Sequence, residues 1–295
     1  MSGSLSKRAA ASFDGRRVLT LESRRAPELA LLVMNYGGRP VVAPSLRELP
    51  LESNDEALTL AADLVRQRFD LVVLMTGVGV RMWIKLVEPS MGRDAFVQAL
   101  GRARILARGP KPVAALREVG LTPWATVPSP NTWRELLATL DARSVEMPLA
   151  GARVAIQEYG LPNDELAGAL AARGATVVAV PIYRWAMPDD RAPLRAAVHA
   201  IVRNDVDVIV LTAGVQLVHL LRAAAELGLE PAVRRGLERM AVASIGPMTS
   251  EELHRRGLRV DYESSHPKMG FLVKELAERC GTLLESKHAM NQPRC

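Results

Sequence analysis

Cysteine, histidine and aromatic residues are all scarce in this 295-residue sequence, and each scarcity removes a class of function. Two cysteines, Cys280 and Cys295, cannot build a disulfide framework or a Cys-rich metal site, so a reducing, cytoplasmic setting is expected. The five histidines (199, 219, 254, 266 and 288) show no metal-ligand spacing. His199 and His219 fall in helical patterns and read as surface or packing residues. Aromatics make up 4% of the chain, leaving few platforms for stacking single-stranded nucleic acid. Apolar runs such as Leu71–Met75 are far shorter than the roughly 20 residues that span a bilayer. The first residues carry Lys7 and Arg8 but no apolar stretch of the secretory kind, so 1–14 is expected to be a flexible tail. No Gly-x-Ser-x-Gly elbow anchors a hydrolase triad, and the carboxylates form no convincing pair. Chemistry through a metal or an activated nucleophile is not expected.

What is present is a net charge of +6, spread along the chain without a basic block. Such a surface favours an anionic partner, and a soluble polyanion fits at least as well as nucleic acid. The length suggests two domains at about 150 residues each. The sequence also aligns with itself. Gly15-Arg-Arg-Val-Leu-Thr-Leu matches Gly151-Ala-Arg-Val-Ala-Ile-Gln, at an offset of 136 residues. Asp70-Leu-Val-Val-Leu-Met-Thr-Gly-Val matches Asp207-Val-Ile-Val-Leu-Thr-Ala-Gly-Val, at an offset of 137. Gly109-Pro and Gly246-Pro, then Ser129-Pro and His266-Pro, keep the register. A period this long means duplicated domains rather than a solenoid.

Each copy alternates short apolar strands with amphipathic helices, the pattern of parallel sheets covered on both faces. Leu29, Leu32, Val33 and Tyr36 mark one helix, closed by Gly37-Gly38; Leu166, Ala169 and Leu170 mark its counterpart, closed by Gly174. The loops after the strands, including 22–25, 76–81, 158–160, 212–215 and 246–249, should form the binding surface, in a cleft between the two domains. Thr76-Gly-Val-Gly-Val-Arg81 lacks the third glycine of a dinucleotide fingerprint and the Gly-Lys-Ser/Thr of a P-loop. It reads either as a tight turn with glycine at positive φ or as backbone amides at a helix N-terminus that bind a carboxylate. The second reading is preferred, because Thr212-Ala-Gly-Val repeats the turn. Tyr183, in Pro181-Ile-Tyr-Arg-Trp, has no tyrosine counterpart near Ser45-Leu-Arg47. It is either a packing residue or a phenolic hydrogen-bond and proton donor.

Taken in order, Ser23-Arg24, Thr76-Gly-Val-Gly-Val, Ala107-Arg-Gly-Pro-Lys-Pro, Pro181-Ile-Tyr-Arg and Ser244-Ile-Gly-Pro-Met-Thr-Ser resemble the uroporphyrinogen-III synthase family over about residues 15–280. The resemblance implies an α/β protein of two flavodoxin-like, doubly wound parallel-sheet domains joined by a two-stranded linker. Domain one would hold 15–44 and 185–281, domain two 45–184, with 282–295 a second flexible tail. It implies a cytoplasmic enzyme, expected to be a monomer without cofactor, that closes the polycarboxylate tetrapyrrole hydroxymethylbilane to uroporphyrinogen III with one ring inverted. By the same resemblance Tyr183 would assist departure of the hydroxyl and Thr249 would bind or orient substrate. Arg24, Thr76, Gly77, Val78, Gly79, Lys111, Tyr159, Thr212, Ala213, Gly214 and Gly246 complete the expected substrate contacts. The sequence departs from the family at Gly77, Pro112 and Ala213, where hydroxyl residues are common.

Those departures keep a second reading open, a tetrapyrrole- or small-anion-sensing protein of the same fold without turnover. The stretch after Cys280 is too short for a DNA-reading winged helix, which weighs against a regulator. A nucleotide-using flavodoxin-like enzyme is a third reading, disfavoured by the missing phosphate motifs.

Overall fold

A computed structural model describes residues 11–50, 54–158 and 162–291. The chain divides into two compact units, one holding the chain up to Arg47 and again from Ala186, the other running from Glu48 to Trp185. Unit 1 opens with β1 (Arg17–Thr20), α1 (Ala26–Asn35) and β2 (Arg39–Val42), and the chain leaves through β3 (Arg47–Pro50). Unit 2 follows with α2 (Asp55–Val65), β4 (Leu71–Leu74), α3 (Gly77–Met91), α4 (Arg93–Arg102), β5 (Arg104–Ala107), α5 (Pro110–Arg117) and β6 (Ala125–Thr126). It closes with α6 (Trp133–Asp141), β7 (Arg153–Glu158), α7 (Asp164–Ala172) and β8 (Thr176–Pro181). The chain returns through β9 (Tyr183–Ala186), which pairs with β3 in a two-stranded sheet. Unit 1 is completed by α8 (Ala192–Val202), β10 (Val208–Leu211), α9 (Gly214–Glu226), α10 (Glu230–Arg239), β11 (Ala241–Ser244), α11 (Pro247–Arg255), β12 (Tyr262–Glu263) and α12 (Met269–Asn291).

Each unit is built on a five-stranded, all-parallel sheet, ordered β12-β11-β10-β1-β2 in unit 1 and β6-β5-β4-β7-β8 in unit 2. Numbered along the chain, unit 1 is the doubly wound, flavodoxin-like 2-1-3-4-5 arrangement; unit 2 runs 3-2-1-4-5, the same spatial arrangement circularly permuted, so both are the doubly wound sheets the sequence led us to expect. The repeat and the units do not coincide. Unit 1 takes β1 and β2 from the first copy and β10 to β12 from the second; unit 2 takes β4 to β6 from the first and β7 and β8 from the second. Each sheet is therefore joined across the repeat, by β1 against β10 (Val18 beside Val208) and by β7 against β4 (Val154 beside Leu71).

Side-chain alternation explains why both faces must be covered. On β10, Val208 and Val210 pack under α1 and α12, while Ile209 and Leu211 pack under α8 and α9. On β4, Leu71 and Val73 face α6 and α7, while Val72 and Leu74 face α2 and α3. Full burial of one such Leu or Val contributes about 1.5–3 kcal/mol. Gly37 and Gly174, at φ of +69° and +86°, end α1 and α7 in the left-handed turn that glycine adopts without strain.

The expected tails are partly ordered. Phe13, within the stretch read as an N-terminal tail, is fully buried against α1 and α12. Residues 282–291, read as a C-terminal tail, continue α12. Leu284 is buried there, and the Lys287 ammonium lies 2.7 Å from the Asp261 carboxylate with both side chains nearly inaccessible. No helix among the described residues is long and apolar enough to cross a membrane.

Candidate functional site

In a doubly wound sheet the chain reverses its direction of winding between the two central strands, and ligands bind beyond their carboxyl ends. That point lies between β7 and β4 in unit 2 and between β1 and β10 in unit 1.

In unit 2, Thr76 caps α3, its Oγ1 accepting the Gly79 N–H at 3.0 Å. Gln157, at the end of β7 and fully buried, presents Oε1 to the Thr76 N–H at 3.2 Å. The Tyr183 hydroxyl stands 3.4 Å from Thr76 Oγ1, and its ring meets Trp185 edge to face at 5.5 Å. Tyr183 is 1% exposed and packs in the core beneath α3. Lys111 is exposed on the first turn of α5. The structure therefore brings Thr76, Gly77, Val78, Gly79, Lys111 and Tyr183 together; Tyr159 lies outside the described residues.

The glycines of this turn serve close packing, not positive φ, which corrects the first sequence reading. Neither Gly77 nor Gly79 has positive φ. A Cβ on Gly77 would overlap the Lys111 carbonyl oxygen, and one on Gly79 would overlap the Gln157 side-chain amide. The carboxylate-binding reading is also narrowed. The N–H groups of Thr76 and Gly79 are already bonded, which leaves those of Gly77 and Val78 without a partner among the described residues.

In unit 1 the same acceptor position is filled from elsewhere in the chain. Gln216, in the first turn of α9 and fully buried, presents Oε1 to the N–H groups of Thr212 (2.8 Å) and Ala213 (3.3 Å). Position 216 aligns with Gly79 of the first copy, and Leu21, just after β1, aligns with Gln157. Unit 2 draws its glutamine from the strand and has glycine on the helix; unit 1 draws it from the helix and has leucine at the strand end. Gln216 Nε2 donates to Thr212 Oγ1 at 2.8 Å, and the Thr212 hydroxyl donates to Glu22 Oε2 at 2.5 Å. Gly214 packs against Glu252 of α11, so Thr212, Ala213 and Gly214 lie beside the turn that carries Gly246 and Thr249. Thr249 is buried and its N–H donates to the Gly246 carbonyl at 3.0 Å. Arg24 is exposed in the loop after β1.

Glu22, Gln157 and Gln216 were not singled out from sequence. The glutamines sit where the two copies disagree, which an alignment reads as drift. Glu22 and Glu158 sit where the copies agree, and that identity was an available signal. Glu158, at the end of β7, accepts the Asn163 N–H at 3.1 Å, and burial pushes its carboxyl above the ordinary value. His219, read as surface or packing, is a buried residue of α9 whose Nδ1 lies 2.7 Å from the Ser45 carbonyl. Among the described residues no group of three or more His, Cys, Asp or Glu side chains is placed to hold a metal ion.

Comparison with known proteins agrees with this architecture. "Uncharacterized protein YjjA" of Bacillus subtilis is 26% identical over 265 residues, covering 90% of this chain and 96% of its own. A crystal structure of a mutant uroporphyrinogen III synthase from the extremely thermophilic bacterium Thermus thermophilus superposes with a TM-score of 0.65 at 26% identity, covering 92% of this chain and all of that one. The wild-type form of that synthase gives a TM-score of 0.51 at 27% identity, covering 91% and 98%. The sequence profile of the family described as "Uroporphyrinogen-III synthase HemD" matches residues 27–274, which take in β4, β7 and β10 and the turns that follow them. The chain belongs to the uroporphyrinogen-III synthase HemD family.

Proposed function

We propose that this protein closes hydroxymethylbilane to uroporphyrinogen III, inverting one pyrrole ring and releasing water. The observation that carries the reading is the family match across 27–274, laid over two carboxyl-edge sites that hold the residues the reaction would use. Departure of the hydroxyl needs a proton at its oxygen, and the Tyr183 hydroxyl, poised beside the Thr76 cap, is the donor we assign. The N–H groups of Gly77 and Val78, which have no partner among the described residues, with Lys111, Arg24 and Thr249, are assigned to the substrate's carboxylates. The remaining catalytic contribution is conformational, the holding of a flexible chain so that its reacting rings meet. Tyr159, Gly246 and the 212–214 turn complete the proposed contacts. We further propose a cytoplasmic monomer acting without a cofactor.

One observation favours a second reading, a binding protein without turnover. Tyr183 is almost wholly buried, and a proton donor must reach its substrate. Incubation with hydroxymethylbilane separates the two. The bilane closes unaided to the symmetric type I isomer, so type III product is expected from the enzyme, and type I alone would establish the binding reading.

A further inference from the structure

For a protein of positive net charge in a family named for a polycarboxylate product, the switch point of unit 1 carries the wrong kind of group. Beside the N–H groups of Gly214 and Val215, which like those of Gly77 and Val78 have no partner among the described residues, it presents a fixed anionic acceptor. The two N–H groups at the head of this turn are taken by Gln216 Oε1. Glu22 stands beside them, half-buried and tied in place by the Thr212 hydroxyl on Oε2 at 2.5 Å and by the Arg25 N–H on Oε1 at 3.3 Å. A carboxylate has about four acceptor sites, so two bonds leave lone pairs on both oxygens. Two residues earlier, at the end of β1, Thr20 Oγ1 is fully buried with no hydrogen-bond partner among the described residues. A ligand carboxylate brought here would meet a fixed like charge, whereas a ligand N–H would meet an oriented anionic acceptor.

The geometry points to Glu22 as a recognition residue that accepts hydrogen bonds from pyrrole N–H groups, with Thr212 as its positioning residue. Unit 1 then reads the nitrogen edge of a pyrrolic ligand through Glu22. The inference rests on a pyrrolic ligand but not on turnover. Gln216 has a defined part, since it occupies the Thr212 and Ala213 N–H groups just before α9 and, through Nε2, orients the Thr212 hydroxyl toward Glu22.

The probes are porphobilinogen, a monopyrrole with one ring N–H and two carboxylates, and its N-methyl derivative, titrated into the full chain and followed by NMR. Wild type is expected to bind the N–H form about tenfold or more tightly than the N-methyl form, the range of a charge-assisted hydrogen bond. Glu22→Gln is expected to weaken porphobilinogen binding by a similar factor and to erase the preference. Thr212→Val, which frees the carboxylate but retains it, should reduce the preference and serves if Glu22→Gln does not fold. Equal binding of both probes by wild type, a preference that survives in Glu22→Gln, or no binding of either probe would each overturn the inference. Its fate is separable from that of the synthase reading: type I product with an intact N–H preference removes only turnover, and type III product without that preference removes only the role of Glu22.

Discussion

The two glutamines allow a stringent test, because unit 1 and unit 2 solve one hydrogen-bonding problem with opposite residue placements. Converting unit 2 to the unit 1 solution takes two substitutions, Gly79→Gln and Gln157→Leu. Gln157→Leu alone removes the acceptor of the Thr76 N–H at 3.2 Å and is expected to cost about 1–3 kcal/mol, the penalty of an orphaned buried donor. Gly79→Gln alone drives a side chain into the volume of the fully buried Gln157. Overpacking of that kind costs about 1–3 kcal/mol, against a helix-propensity gain of up to about 1 kcal/mol. Together, the new glutamine reaches the Thr76 N–H as Gln216 reaches that of Ala213, and leucine packs as Leu21 does. The double variant should therefore lie within about 1 kcal/mol of wild type, with a favourable coupling of about 1–3 kcal/mol. Urea unfolding of all four proteins by circular dichroism measures the cycle, with m-values compared because two units need not unfold in one step. Additivity within about 0.5 kcal/mol, or a double variant worse than either single one, would refute the reasoning.

Three further outcomes are expected. Tyr183→Phe retains the ring against Trp185 and removes the hydroxyl that stands 3.4 Å from Thr76 Oγ1, so stability should fall by about 0.5–1 kcal/mol, while type III formation should slow by about a hundredfold; wild-type turnover would end the catalytic assignment. Lys287→Met strands the buried Asp261 carboxylate, which still accepts the Val242 N–H and lies 3.4 Å from Arg259, so a loss near the lower end of about 3–5 kcal/mol is expected by denaturation, partly restored by adding Asp261→Asn. Burial raises the Glu158 carboxyl above its ordinary value, so the native state holds that proton more tightly than the unfolded chain does. The stability this lends is greatest at low pH and is lost as pH rises through the folded-state value; Glu158→Gln should therefore gain on wild type as pH rises above the ordinary carboxylate value of about 4, and a pH-independent difference would count against it.

The duplication, the parallel sheets and the strand-end loops were legible because apolar runs such as Leu71–Leu74 and Val208–Leu211 bury on both faces and leave little freedom in composition. Packing inside the turns was less legible. Glycine at 77 and 79 looks the same in sequence whether it relieves a positive φ or makes room for a neighbour, and only the positions of Lys111 and Gln157 decide. The ordered C-terminal helix could have been seen, since Leu276, Cys280, Leu284 and Lys287 recur at helical spacing. Lysine in that series concealed the stripe, because its burial depends on Asp261, far away in composition rules though only 26 residues away in sequence.

The joining of each sheet across the repeat has a consequence for the order in which the protein can be made. Unit 2 is one continuous stretch, so all of its strands leave the ribosome in succession. Unit 1 has no such privilege. Val18 of β1 pairs with Val208, and the intervening chain takes roughly 10–40 s to synthesise at about 5–20 residues per second. Through that interval β1 and β2 must wait with one strand edge unpaired and the apolar faces of Val18 and Leu19 uncovered, the state most open to mispairing with another nascent chain. The opening strands of the fold are thus the earliest made and among the last secured, and slow β10 synthesis or loss of the terminal helix would register as aggregation of the nascent chain rather than as a defect in unit 2.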